Sequence, residues 1–255
     1  MIQAVTKFKE NKLNLKLKEA NARVVYHKYD GTQLNTTLVS FSEKRRVLST
    51  LDGIKHVNNV ANVFVPDPLS GNIMTLQKYA QFVKRLPATL GLRLSNLTFM
   101  STAVNMEKVA FCEKTYEDFH VCCIATGGAR NNALRMGVDE GQWVERATGF
   151  QPKLGTINII LLTNVTLTWG AMARAIMTAT EAKTAALQDL DYRSTPTPQV
   201  QATGTGTDNM IVVSGVNPNI VISHTGGHTK MGELIGFTAK QAVTEALKKH
   251  DNLEE

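Results

Sequence analysis

The chain has 255 residues, 43% of them hydrophobic, and a formal charge of +6, enough apolar material for one compact domain. No run of about 18 apolar residues appears, and Met1 to Phe8 lacks the charged-then-apolar order of a secretory signal, so the expectation is a cytoplasmic protein with no membrane partner. Much of the basic excess lies at Lys7, Lys9, Lys12, Lys16 and Lys18 and at Lys44, Arg45 and Arg46, without interleaved aromatic residues, which argues against nucleic acid; three cysteines, Cys112, Cys122 and Cys123, argue against a disulfide framework.

In chain order, Leu13, Leu15 and Leu17 and then Val24 and Tyr26 alternate, with Tyr29-Asp30-Gly31-Thr32 as a turn, which predicts an N-terminal β-meander whose basic residues point outward. Lys44 to Leu51 reads as a short helix or another strand, Val57 to Val65 ends at Pro66 and Pro68, and Thr75 to Leu86 has helical spacing. Beyond it, four short apolar strands, Leu97 to Val104, Phe119 to Ala125, Ile157 to Leu162 and Met210 to Val213, predict a buried sheet. Helices are expected over Asn131 to Met136, over Thr168 to Leu190 with Thr168 as N-cap, and over Met231 to His250. Ser194 to Gln201, with two prolines, reads as a loop. The fold class is therefore α/β or α+β: a single layered domain over 1–255 with a buried mixed sheet flanked by helices, residues 1–37 being a β-rich extension of it.

Three small-residue turns are candidates for one shared site, because glycine and threonine leave backbone N–H groups free to face a ligand. In the first, Thr126 to Ala133, a strand ends at Gly127-Gly128 and the expected helix begins near Asn131 and Asn132, so its N-terminus is placed to bind an oxyanion; an ordinary strand-to-helix turn gives the same pattern. The second is Gly155-Thr156-Ile157-Asn158, and the third Thr203-Gly204-Thr205-Gly206-Thr207-Asp208. No Gly-Lys-Ser/Thr closes either, which excludes a phosphate loop. Asp208 suits a general base or a cap of its own turn. Arg174, Thr178, Glu181 and Gln188 make a polar stripe along one helix face; Glu181 is an acid–base candidate if that face lines a cleft, with Arg174 or Lys183 tuning it, and a solvated residue otherwise. His224 and His228 are four apart, but Gly226 and Gly227 oppose the helix that would aim both at a metal, so no metal is expected and His228 is left for acid–base work or capping. His120, Cys122 and Cys123 read as core.

Taken in order, Thr126 to Ala133, Gly155 to Asn158, Thr180-Glu181-Ala182-Lys183-Thr184-Ala185-Ala186-Leu187, Thr203 to Asp208, and Gly227-His228-Thr229-Lys230 with Gly232-Glu233-Leu234 resemble the adenosylcobinamide amidohydrolase family, from about Val39 to the C-terminus. Arg130 departs from that pattern. The resemblance implies hydrolysis of the amide joining aminopropanol to the corrin ring, with a corrinoid as partner and no cofactor beyond the cobalt of the substrate itself; a homo-oligomer is compatible with it. On this reading His228, Glu181 and Asp208 are assigned to proton transfer, Thr126 or water to attack, Gly127 and Gly128 to the oxyanion, and Asn131, Asn132, Thr156, Asn158, Thr205, Thr207 and Thr229 to substrate binding. A non-catalytic corrinoid carrier and a hydrolase of another amide-rich metabolite are the rival functions. Ile157 to Thr163, with the helix and turn that follow, also resembles the self-cleaving aminopeptidase and ornithine acyltransferase group at the level of fold analogy.

Overall fold

In a computed structural model of the chain, residues 9–72, 76–141, 144 and 155–252 are described; Lys7 and Thr75 lie outside them. In order come β1 (Lys9–Leu13), β2 (Asn21–Tyr29), β3 (Thr32–Ser49), β4 (Gly53–Phe64), α1 (Asp67–Asn72), α2 (Leu76–Thr89), β5 (Leu97–Thr102), β6 (Ala110–Tyr116), β7 (Phe119–Gly127), β8 (Ala133–Leu134), β9 (Ile157–Thr163), β10 (Val165–Leu167), α3 (Trp169–Asp189), β11 (Gly204–Thr205), β12 (Asn209–Val213), β13 (Asn217–Ile222) and α4 (Lys230–Asp251). The expected meander forms. Asp30 and Gly31 both take positive φ, the two-residue primed turn that matches strand twist, and so join β2 to β3. Lys44 to Leu51 is strand, part of the long β3, rather than a helix.

The main sheet runs β1-β2-β3-β12-β9-β7-β6, with β4 and β5 added through β3. It is mixed: β12 pairs with β9, and β4 with β5, in parallel, and the other ladders are antiparallel. The alternation of side chains across each strand sorts the interior into three cores. Val121, Cys123 and Ala125 of β7 and Ile157, Ile159 and Leu161 of β9 pack with α3 and α4. Cys122, Ile124, Ile160 and Leu162, on the opposite face, meet Val39, Val57, Val60 and Met100 from the other half of the sheet. Leu34, Leu38, Ala61, Val63 and Phe99 turn outward from that half and cover Phe82 and Leu86 of α2. The sheet therefore folds back on itself between two helical layers.

Capping sets the two long helices. Thr168 accepts from the Ala171 N–H at 3.1 Å and opens α3; Thr229 accepts from the Gly232 N–H at 3.0 Å and opens α4. Asn252, in the left-handed region, closes α4 behind Lys248, Lys249 and His250. The basic residues Lys9, Lys12, Lys16 and Lys18 are exposed, but Arg45 is buried and stacked on Phe41, and Arg46 lies 4.9 Å above Trp169 while donating to the Leu167 carbonyl. Arg45 and Arg46 of the second basic cluster are thus built into the fold, while Lys44 is exposed. The helix expected over Asn131 to Met136 does not form: this segment turns into β8, which pairs with β11, because its carbonyls accept from the N–H groups of Thr195, Thr203 and Gly206 and the Met136 N–H goes to the Thr203 hydroxyl. No helix among the described residues is long and apolar enough to cross a membrane.

One buried histidine couples α2 to the sheet. The Thr89 hydroxyl donates to the Leu86 carbonyl at 2.7 Å, so it accepts from His27 Nδ1 at 2.9 Å, and His27 Nε2 is left to accept from Thr36 at 2.7 Å. Burial holds this imidazole neutral and lowers its pKa from 6.5 to about 4. Between these values the unfolded chain binds the proton more readily, so the contribution of His27 is complete above about pH 6.5 and is lost as the pH falls through the window toward 4. Urea unfolding at pH 7 and pH 4 is expected to differ by roughly 3 kcal/mol from this group, and the difference should shrink in His27→Gln.

Candidate active site

The three small-residue turns do converge, at the start of β9. The Asp208 carboxylate lies at their centre: Oδ1 accepts from Thr205 Oγ1 at 2.6 Å and the Ile157 N–H at 2.9 Å, and Oδ2 accepts from the Thr205 N–H at 3.0 Å and from Lys183 Nζ in a short ion pair. One carboxylate thus ties α3, β9 and the Gly-Thr-Gly-Thr-Asp turn together. Lys183 is 8% exposed; a buried ammonium needs such a partner. Gly204 makes the approach possible, since a Cβ there would stand 2.6 Å from both Lys183 Nζ and Asp208 Oδ2. Of the two uses expected of Asp208, the structure has the cap of its own turn, through the N–H and hydroxyl of Thr205.

From this charged pair a chain of neutral groups runs into the space between the two halves of the sheet. Thr156 Oγ1 donates to the Thr207 carbonyl at 2.6 Å and reaches Asn158 Oδ1 at 3.2 Å. Asn158 Nδ2 donates to Asn62 Oδ1 at 2.9 Å and to the Ser101 carbonyl, and Asn62 Nδ2 donates to Thr126 Oγ1 at 2.8 Å. Thr207 Oγ1 and Asn132 Nδ2 both donate to the Gly155 carbonyl, at 2.7 and 2.9 Å. Thr126, Asn132, Thr156, Asn158 and Thr205 are all buried. On the helix side of β9 and β12 the Lys183–Asp208 pair borders a small cleft with Thr50, Ile176, Thr180 and Asn209.

Several expected site residues lie elsewhere. Glu181 is exposed and, two residues from Lys183, points about 200° away around α3; the polar stripe is solvated except at Thr178, which donates to the Thr225 carbonyl. His228 is exposed in the loop before α4, beside Arg174, and Arg174 is nine residues or about 14 Å along α3 from Lys183. Thr229 spends its hydroxyl on the N-cap and on the Gly226 carbonyl. Asn131 is exposed. Gly127 and Gly128 do not open toward a ligand: a Cβ on them would meet Leu247 and His250 at 2.9 Å, so they let α4 lie against β7, and the Gly128 N–H is already given to the Thr156 carbonyl. Without a helix starting at Asn131, the oxyanion assignment to this turn fails. Arg130 has a structural use, donating to the Asp251 carbonyl at 2.8 Å at the end of α4, where Tyr192 also holds the Asp251 carboxylate.

His120 is held by Glu113, which also receives the Lys16 and Leu17 N–H groups. Cys122 and Cys123 are buried, and desolvation pushes both thiols up, the opposite of what a nucleophile needs. Two residues of the network, Lys183 as a partner of Asp208 and Asn62, were not among the candidates. Lys183 sits among Ala182, Ala186 and Leu187 on the inward face of α3, a polar break in an apolar stripe that signals a buried pair. Asn62 belongs to a strand far away in sequence and carried no local signal.

A model of the adenosylcobinamide amidohydrolase family matches residues 18–255, so the likeness starts within the basic N-terminal region and earlier than Val39. An uncharacterised protein of Methanocaldococcus jannaschii is 41% identical over 231 residues, covering 87% of this chain and 89% of that protein. The adenosylcobinamide amidohydrolase of Methanosarcina mazei is 30% identical over 176 residues, 66% of this chain and 72% of that one. Among solved structures, the PH0078 protein of Pyrococcus horikoshii matches with TM-score 0.41 and 10% identity over 94% of this chain and 83% of its own. The L-aminopeptidase D-Ala-esterase/amidase of Ochrobactrum anthropi, described as a variant of the Ntn hydrolase fold, matches with TM-score 0.39 and 12% identity over 94% and 82%. The chain belongs to the adenosylcobinamide amidohydrolase family.

Proposed function

We propose that the protein hydrolyses the amide joining aminopropanol to the corrin ring of adenosylcobinamide, giving adenosylcobyric acid and free aminopropanol. The observation that carries this reading is the ion pair of buried Lys183 with part-buried Asp208 beside a run of neutral carboxamides and hydroxyls, Asn62, Thr126, Asn132, Thr156 and Asn158. A corrinoid presents many amide arms, and neutral donors and acceptors match them better than charges do. Family membership supports an amidohydrolase chemistry.

Within the network, Thr205 is the hydroxyl bonded to a carboxylate, and that carboxylate is fixed by a third group, Lys183. This is the arrangement of a nucleophile, a base and a residue that orients the base. In the proposed reaction Asp208 takes the Thr205 proton as the hydroxyl adds to the amide carbonyl. The proton then passes to the departing nitrogen, and water releases the acid from the resulting ester. Proton transfer by a placed side chain contributes about 10²- to 10⁴-fold. Glu181 and His228 have no part in these steps because neither reaches Asp208.

Purified protein incubated with adenosylcobinamide should yield both products by mass spectrometry. Binding without product would favour the corrinoid carrier, and no binding would remove the corrinoid reading. Asp208→Asn and Lys183→Met are expected to lower turnover at least 100-fold, whereas Glu181→Ala and His228→Ala should stay within about threefold of wild type; loss of activity in the second pair with the first intact would reverse the assignment. Breaking a buried pair also costs roughly 3 kcal/mol, so calorimetry should find Lys183→Met less stable. Gly204→Ala, which drives a methyl into the pair, should lose about 1–3 kcal/mol by the same measurement.

A further inference from the structure

Asn132 holds an acceptor that the fold leaves unused. Its side chain is 2% exposed, and its orientation is fixed because Nδ2 donates to the Gly155 carbonyl at 2.9 Å and lies 3.4 Å from Thr207 Oγ1. Its Oδ1 is buried with no hydrogen-bond partner. Buried polar atoms are nearly always paired, and an exception in a native fold calls for an explanation, a partner from outside the chain being one. Gly206 lies beside it and is exposed; a Cβ built there would stand 3.1 Å from Asn132 Oδ1 and 3.2 Å from Leu134 Cδ1. Gly206 is not in the left-handed region, so its backbone does not require glycine. What glycine provides is the absence of a side chain above the acceptor.

The surroundings define the donor. Thr205 and Thr207 flank the niche, and the carboxylate of Asp208 already receives Lys183, two backbone or side-chain groups of Thr205, and the Ile157 N–H. Among the described residues no free negative charge is left there to attract a cation, and a lone carboxamide oxygen in neutral surroundings suits a neutral N–H. We propose that Asn132 Oδ1, reached past Gly206, accepts a hydrogen bond from a primary carboxamide arm of the ligand and so makes Asn132 and Gly206 determinants of specificity. This rests on the corrinoid reading above and names the groups of that ligand which the site selects.

The test compares binding of adenosylcobinamide with that of its analogue in which the peripheral carboxamides are carboxylates, using wild type and Gly206→Ala, with thermal unfolding as the check on folding. Wild type is expected to prefer the carboxamide form by about tenfold or more, the worth of leaving a buried acceptor unpaired. Gly206→Ala, folded, should lose most of that preference through weaker binding of the carboxamide form. An unchanged preference in folded Gly206→Ala overturns the proposal, and so does a wild type that turns over adenosylcobinamide yet binds both forms equally; the second result decides the matter even if the variant fails to fold. A wild type that neither binds nor hydrolyses adenosylcobinamide overturns the functional reading together with this one.

Discussion

A lysine buried on the inner face of α3 must meet an anion, because removing an ammonium from water without one costs several kcal/mol. Lys183 meets Asp208, and the geometry of that contact fixes much else. Asp208 can face Lys183 only if the chain from Thr203 to Asp208 passes close over the ammonium, which Gly204 permits. Its second oxygen then reaches the first amide of β9 and the hydroxyl of Thr205. A helix, a strand and a turn that are distant in sequence are thereby held in one register, and the strand starts where the turn needs it.

The position of β9 has consequences on both faces. Toward the helices it presents Ile157, Ile159 and Leu161, so α3 and α4 are packed by ordinary apolar burial. Toward the other half of the sheet it presents Asn158, Ile160 and Leu162. The interior is therefore apolar along most of its length and turns polar at one end, where Asn158 bridges Asn62 of β4 to the backbone of Ser101 in β5. Every group named in that run pairs with a neighbour, apart from Asn132 Oδ1. A network satisfied in this way is stiff, which suits the placement of a reacting carbonyl.

Much of this was legible in the sequence where the signal is local. The alternation of β2, the Asp30-Gly31 turn and the cap at Thr168 each depend on a few adjacent residues, and the structure has them as read. The three turns were correctly expected to meet. What failed was the inference drawn from glycine alone: Gly127-Gly128 suggested a helix N-terminus open to an anion, but these glycines answer to α4, more than a hundred residues later in the chain. The stripe through Glu181 is exposed apart from Thr178, and His224 and His228 are exposed in the loop before α4. Asn62 and the Lys183–Asp208 pair arise from strand order and helix placement, which one local window does not contain.

Amide hydrogen exchange across the chain, with and without adenosylcobinamide, tests the account most directly. If the ligand engages the network built on Lys183 and Asp208, protection should increase at residues 155–158 and 203–209 and change little at residues 224–229. Protection confined to the loop around His224 and His228, with residues 203–209 unaffected, would place the ligand elsewhere and contradict the site described for this family member.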